Sequence, residues 1–218
     1  GNVGSSENVF KKGEAGYYSF LNTAMDGPPR DALYYERAIE YLQGRKADDA
    51  PFFMFLPTSF PHPTYHAPEP WYSMYDPDDL PPLRPVVEEG KPDYHRLIRD
   101  YRDLNNVDES VLRKIMAVYL GMTSYVDHLL GQLLDALEET GLGEETVVLA
   151  FSDHGDWAGD YGLVEKWPSG LDDTLTRVPL IVRMPGGAKG HVVEEPVELD
   201  GIPARLVDTG GISGGGAI

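Results

Sequence analysis

An acid and an imidazole stand side by side where an apolar run ends. Val147-Val148-Leu149-Ala150-Phe151 passes through Ser152 into Asp153-His154-Gly155-Asp156. A carboxylate beside a neutral imidazole begins a divalent-metal site, and oxygen and imidazole ligands without thiolate suit Ca²⁺, Mg²⁺ or Mn²⁺. A continuous apolar run of this length reads as a buried parallel strand. In open α/β sheets the ligand crevice lies just beyond the carboxyl ends of the strands, so Asp153 and His154 are expected where chemistry is done. Gly155 is expected to let the backbone turn sharply once both ligands are placed.

A second imidazole comes from a different kind of segment. Pro51-Phe52-Phe53-Met54-Phe55-Leu56 reads as another buried strand, and Pro57-Thr58-Ser59-Phe60-Pro61-His62-Pro63 follows it. Prolines keep such a loop extended and stiff, and a stiff loop holds an imidazole still. His66, four residues on, is the fallback, and a histidine that merely caps a turn is the plainer reading of either.

The elements that must carry these groups follow from periodicity. Asp31 is placed to cap a helix running to about Gly44, with Ala38, Tyr41 and Leu42 on its apolar face. From Asp108 to about Thr140, apolar residues from Leu112 to Leu137 recur at three and four, predicting one long helix with a possible bend near Gly121. Gly141 ends it, and a short turn leads to the Val147–Phe151 strand, an αβ unit. Asp127 and His128 lie inside the helix and are read as packing. Tyr17-Tyr18-Ser19-Phe20 reads as a buried aromatic anchor. The Pro-rich, charged stretch from Pro77 to Asn106 reads as a surface excursion. His95, Arg96, Arg99 and Arg102 are its candidate specificity residues, though solvated surface is the plainer reading.

The chain has 218 residues, 36 acidic against 18 basic, for a formal net charge of −18. That balance argues against nucleic acid and anionic membrane as partners, since both need cationic surface. No apolar stretch approaches the roughly 20 residues that span a bilayer. A soluble protein is expected, its compartment left open, with no secretory signal visible. With no cysteine, disulfides and thiolate metal sites are excluded.

The order of three pieces carries a resemblance. Phe151-Ser-Asp-His-Gly-Asp-Trp-Ala-Gly-Asp-Tyr-Gly-Leu-Val-Glu-Lys-Trp-Pro168 is followed by Arg177-Val-Pro-Leu-Ile-Val-Arg183, and Trp71-Tyr-Ser-Met-Tyr-Asp76-Pro77 comes earlier. Together they resemble the sulfatase family of the alkaline phosphatase superfamily. The resemblance implies an α/β fold, a mostly parallel sheet flanked by helices, alkaline phosphatase-like and incomplete. Residues 1–218 would form one partial catalytic domain, with the likeness covering about 31–212. It implies that Asp153 and His154 bind a divalent metal, Ca²⁺ being the family's common choice and Mn²⁺ or Mg²⁺ the alternatives. It implies that Lys166 holds the sulfate and that His62 contacts the sulfate and the leaving oxygen. The substrate would be a sulfate ester of a small molecule or saccharide. Asp156 is a candidate to orient His154.

Two features depart from the family. Its formylglycine nucleophile is made from Cys or Ser in a C/S-x-P-x-R motif, which no residue here opens, and its early Asp pair has no match. The first residue is not Met. The expectation is therefore the later part of a catalytic domain, inactive alone. A phosphodiesterase or phosphonate monoester hydrolase of the same superfamily is one alternative, and a non-catalytic acidic domain binding a cation or partner is another. The segment Val197 to Val207 resembles a family helix, but Gly201-Ile202-Pro203-Ala204-Arg205 departs from its pattern.

Overall fold

The computed structural model describes residues 3–11, 21–46, 48–87, 89–168 and 170–185, with the backbone of two further strands at 194–199 and 202–207. The aromatic anchor expected at Tyr17-Tyr18-Ser19-Phe20 lies outside these residues. The chain divides into two compact units: Gly1–Leu133 with Asp156–Leu171, and Leu134–Gly155 with Asp172–Ile218.

In the first unit, helix α1 (Arg30–Gln43) starts behind Pro29 and buries Ala32, Tyr35, Ala38 and Leu42. Asp31 does not cap it. Its carboxylate Oδ2 accepts the backbone N–H groups of Ser59 and Phe60 at 2.8 and 2.6 Å, and the residue is 2% exposed. A buried acid that satisfies two backbone donors outside its helix fixes the entry to the proline loop. The far side of that loop is tied by the N–H groups of Asn22 and Met25, which donate to the carbonyls of Tyr65 and Ala67. Residues 51–56, expected as a buried strand, form none among the described residues. Phe53 and Phe55 are 92% and 70% exposed. Without a pairing partner, an apolar run stays extended but unburied.

Helix α2 (Asp93–Tyr101) follows, and then α3 (Glu109–Glu139), within a residue of the predicted bounds. Its buried stripe runs through Leu112, Ile115, Val118, Met122, Tyr125 and Leu129; side chains of this size contribute about 1.5–3 kcal/mol each on burial. Gly121 lies where a Cβ would fall 2.0 Å from the Trp71 carbonyl oxygen, so its role is close approach rather than a bend. His128 packs against the Trp71 ring at 5.2 Å, as the packing reading expects.

The second unit holds β1 (Val148–Phe151), β2 (Leu180–Arg183), β3 (Glu194–Leu199) and β4 (Ile202–Val207), with the short α4 (Asp173–Thr176) between β1 and β2. Strand order is β1-β2-β4-β3. The mostly parallel sheet expected from sequence is not what forms here. β1–β2 and β3–β4 are antiparallel and β2–β4 alone is parallel. The β1–β2 connection, residues 152–179, is long enough for a parallel return, so the direction is set by how the two strands pair and not by loop length. β1 is also an edge strand with Leu149 and Phe151 exposed, not a buried one. The segment likened to a family helix is a pair of strands. Pro203 disfavours a helix interior.

Candidate active site

Lys166 meets His62 across 104 residues of sequence, its Nζ lying 2.7 Å from His62 Nε2. An ammonium only donates, so Nε2 accepts. His62 Nδ1 lies 2.6 Å from the Pro63 carbonyl, which only accepts, so Nδ1 carries the proton. Both contacts define the same tautomer. Glu165 Oε1 approaches the same Nε2 at 3.8 Å, and the His62 side chain is 42% exposed. His62 N–H donates to Ser59 at 2.7 Å, closing the turn that Asp31 holds from below.

The loop from Asp156 to Pro168 brings Lys166 to this point. Trp157, Leu163 and Val164 are fully buried and seat it. Ala158, Tyr161 and Glu165 all have positive φ, at 46°, 58° and 64°. For residues other than glycine this costs of order 1–3 kcal/mol each, so surrounding contacts must over-determine the path. The buried Tyr65 hydroxyl donates to Asp156 Oδ1 at 2.8 Å and accepts the Glu165 N–H at 2.6 Å. Arg99 donates to the Tyr161 carbonyl at 3.3 Å, and Arg102 donates to the Val164 carbonyl at 2.9 Å and to Glu165 Oε2 at 2.7 Å. Burial pushes the Tyr65 phenol well above its ordinary 10.0, with the Asp156 charge adding to it. Burial also raises the Asp156 carboxyl, against the pull of its bonds from Tyr65 and the Ala158 N–H. Asp156 is thus no exposed turn acid, and its Oδ1 serves Tyr65 and Ala158.

Asp153 and His154 leave the end of β1 together. Asp153 Oδ1 accepts the His154 N–H at 3.0 Å, and Oδ2 lies 3.7 Å from His154 Nε2. His154 Nδ1 lies 2.8 Å from the Gly155 carbonyl, which makes Nδ1 the protonated nitrogen and puts the lone pair on Nε2. That is the orientation a metal-ligating histidine takes. Gly155 is needed for a reason other than the sharp turn expected. A Cβ there would fall 1.9 Å from the Thr174 carbonyl oxygen, while Gly155 N–H donates to Leu175 at 2.8 Å. No group of three or more His, Asp or Glu able to hold a metal is found among the described residues. The pair fits part of an oxygen and imidazole site, not the whole of one.

The structure thus joins His62 to Lys166, and Asp153 to His154. His66, the fallback, is a packing residue: its Nδ1 meets Ser6 Oγ at 2.6 Å, its ring stacks on Phe60, and burial lowers its basicity. His95 and Arg99 are 1% and 3% exposed, against the solvated reading of their stretch. Sequence reasoning missed Asp31, Tyr65 and Glu165 at this site. Asp31 looked like a cap, Glu165 carried no signal of its own, and the phenol sat in a loop with no periodicity to place it.

A phosphonate monoester hydrolase of Agrobacterium radiobacter is a similar solved structure, with a TM-score of 0.58 and 26% identity over 75% of this chain and 35% of that one. The sulfatase family model matches residues 4–212, and the chain belongs to the sulfatase family. It is 32% identical over 213 residues to a multifunctional alkaline phosphatase superfamily protein, PehA, of Trinickia caryophylli, covering 86% of this chain and 41% of the relative. It is 32% identical over 184 residues to an arylsulfatase of Clostridium perfringens, covering 81% and 37%. The chain therefore spans about two-fifths of the length of these relatives.

Proposed function

We propose that this chain supplies the sulfate-holding and leaving-group side of a sulfatase, a sulfuric ester hydrolase acting on a small-molecule or saccharide sulfate ester. The observation that carries the reading is the Lys166–His62 contact at 2.7 Å, made by two residues from separate loops. When an ester binds, the Lys166 ammonium turns from the imidazole to a sulfate oxygen, a compact point charge against a developing anion. With the ammonium turned away, His62 Nε2 is open to take up a proton from water and to pass it to the leaving oxygen. Asp153 and His154 Nε2 would be ligands to a divalent cation, Ca²⁺ before Mn²⁺ or Mg²⁺, whose chemistry is the neutralisation of negative charge. No Cys or Ser here opens C/S-x-P-x-R, so the nucleophile is supplied outside these residues, and the 218 residues alone have no turnover.

The test is hydrolysis of 4-nitrophenyl sulfate by the full-length protein carrying this chain. Turnover that survives both Lys166→Ala and His62→Ala sinks the reading. A phosphonate or phosphate ester as substrate is favoured by one observation, the likeness to a phosphonate monoester hydrolase. Rates on paired sulfate, phosphonate and phosphate esters of one leaving group decide between them.

A further inference from the structure

Glu165 precedes Lys166 in the chain and faces the same imidazole nitrogen. Its two carboxylate oxygens are divided between two partners. Oε2 accepts from Arg102 at 2.7 Å, and Oε1 lies 3.8 Å from His62 Nε2. The Arg102 and Glu165 side chains are 12% and 18% exposed, so the pair is mostly shielded from water. Arg102 also donates to the Val164 carbonyl and lies over the Trp167 ring at 5.4 Å. One guanidinium therefore grips residues on both sides of Lys166. The left-handed backbone at Glu165, φ 64°, is held by the Glu165 N–H bond to the Tyr65 hydroxyl. A surface acid needs no such support.

The charges explain what the arrangement achieves. His62 Nε2 faces an ammonium at 2.7 Å and a carboxylate oxygen at 3.8 Å, so charges of both signs act on the same nitrogen. Among the described residues, the charged groups around His62 include Lys166 and Glu165 directly, Arg102 behind Glu165, and Asp156, whose charge also acts on His62.

We infer that Glu165 is a positioning residue that keeps His62 able to carry the leaving-group proton, that Arg102 holds its carboxylate in place, and that the enzyme is thereby suited to sulfate esters of alcohols. This rests on the reading of His62 as the acid. In the step concerned, the bond from sulfur to the leaving oxygen breaks and its electron pair goes to that oxygen. The sulfuryl group passes to the enzyme's oxygen nucleophile, and a proton that His62 Nε2 has taken up from water forms the new O–H. An alkoxide leaves only with that proton, whereas a nitrophenolate leaves without it.

The experiment uses the full-length enzyme on two substrates, 4-nitrophenyl sulfate and a primary alkyl sulfate. Glu165→Gln keeps shape and removes charge. Its kcat on the alkyl ester should fall at least about tenfold, the scale of a supporting residue. On the nitrophenyl ester kcat should fall less than about threefold, with KM for both within about twofold. Arg102→Ala should reproduce the split and Arg102→Lys should restore part of it. Equal losses on both esters, a change in KM alone, or no loss would overturn the inference. Should Glu165→Gln not fold, Arg102→Lys carries the same comparison. His62→Ala separates the two failures. If it shows no dependence on leaving group, the acid reading itself is wrong; if it does and Glu165→Gln does not, only this inference falls.

Discussion

The Lys166 loop is anchored from outside by Tyr65, Arg99 and Arg102, and seated by buried Trp157, Leu163 and Val164. The Asp153 turn is built on another plan. Its carboxylate is 85% exposed and takes a hydrogen bond from the very next N–H. The turn's position comes from backbone, through Gly155 against Thr174 and Leu175. Under the proposed roles, the difference follows from what each group would do. An amine and an imidazole that must hold one geometry gain from a rigid frame made in advance. A metal ligand needs a fixed backbone and a carboxylate still in water, because the cation itself orders it.

The comparison is broken most severely at the rigid end. In the full-length enzyme, Lys166→Ala or His62→Ala should lower kcat for a sulfate ester by about 10²–10⁴, the range for charge stabilisation and proton transfer. Next comes the backbone-built turn. Gly155→Ala should destabilise by about 1–3 kcal/mol, because its Cβ meets the Thr174 carbonyl, which is backbone and cannot swing away. It should also weaken divalent-cation binding, read by calorimetric titration with Ca²⁺ and Mn²⁺. A variant that melts and titrates like the parent would show that the close approach is not needed.

Asp31→Ala tests whether the frame reaches beyond the loop itself. It leaves the Ser59 and Phe60 N–H groups without their acceptor and should cost about 1–3 kcal/mol in thermal or urea unfolding. Because those groups set the turn that carries His62, kcat should fall as well. Asp31→Asn should recover part of both, since the amide oxygen still accepts.

How much of this was legible in sequence depended on what each residue touches. α3 could be read to within a residue because its stripe of apolar side chains repeats over 31 residues and packing rewards the repeat. His62, Lys166, Asp153 and His154 could be named because their order and spacing in the chain resemble the family's. The roles of Asp31 and Glu165 could not. Each is decided by a partner 28 or 63 residues away, and an acid that satisfies remote donors has the same local sequence as an exposed one. The same holds for β1 and residues 51–56. An apolar run signals that burial is available, but only pairing decides whether a strand forms and which face is covered.

The smallest effect expected concerns His66, four residues from His62 on one loop. His66 is held between Ser6 and Phe60, and burial lowers its basicity from the ordinary value of 6.5. The folded protein therefore binds a proton there less readily than the unfolded chain does. Its contribution to stability is full above about pH 6.5 and declines as pH falls through the folded value. Urea midpoints taken from pH 8 down to pH 5.5 should drop on the acid side, and His66→Asn should flatten that drop. The raised Asp156 carboxyl acts with the opposite sign, so the comparison with His66→Asn, rather than the slope alone, isolates the histidine. If His66→Asn leaves the drop as steep as in the parent, the buried imidazole is not the group that sets it.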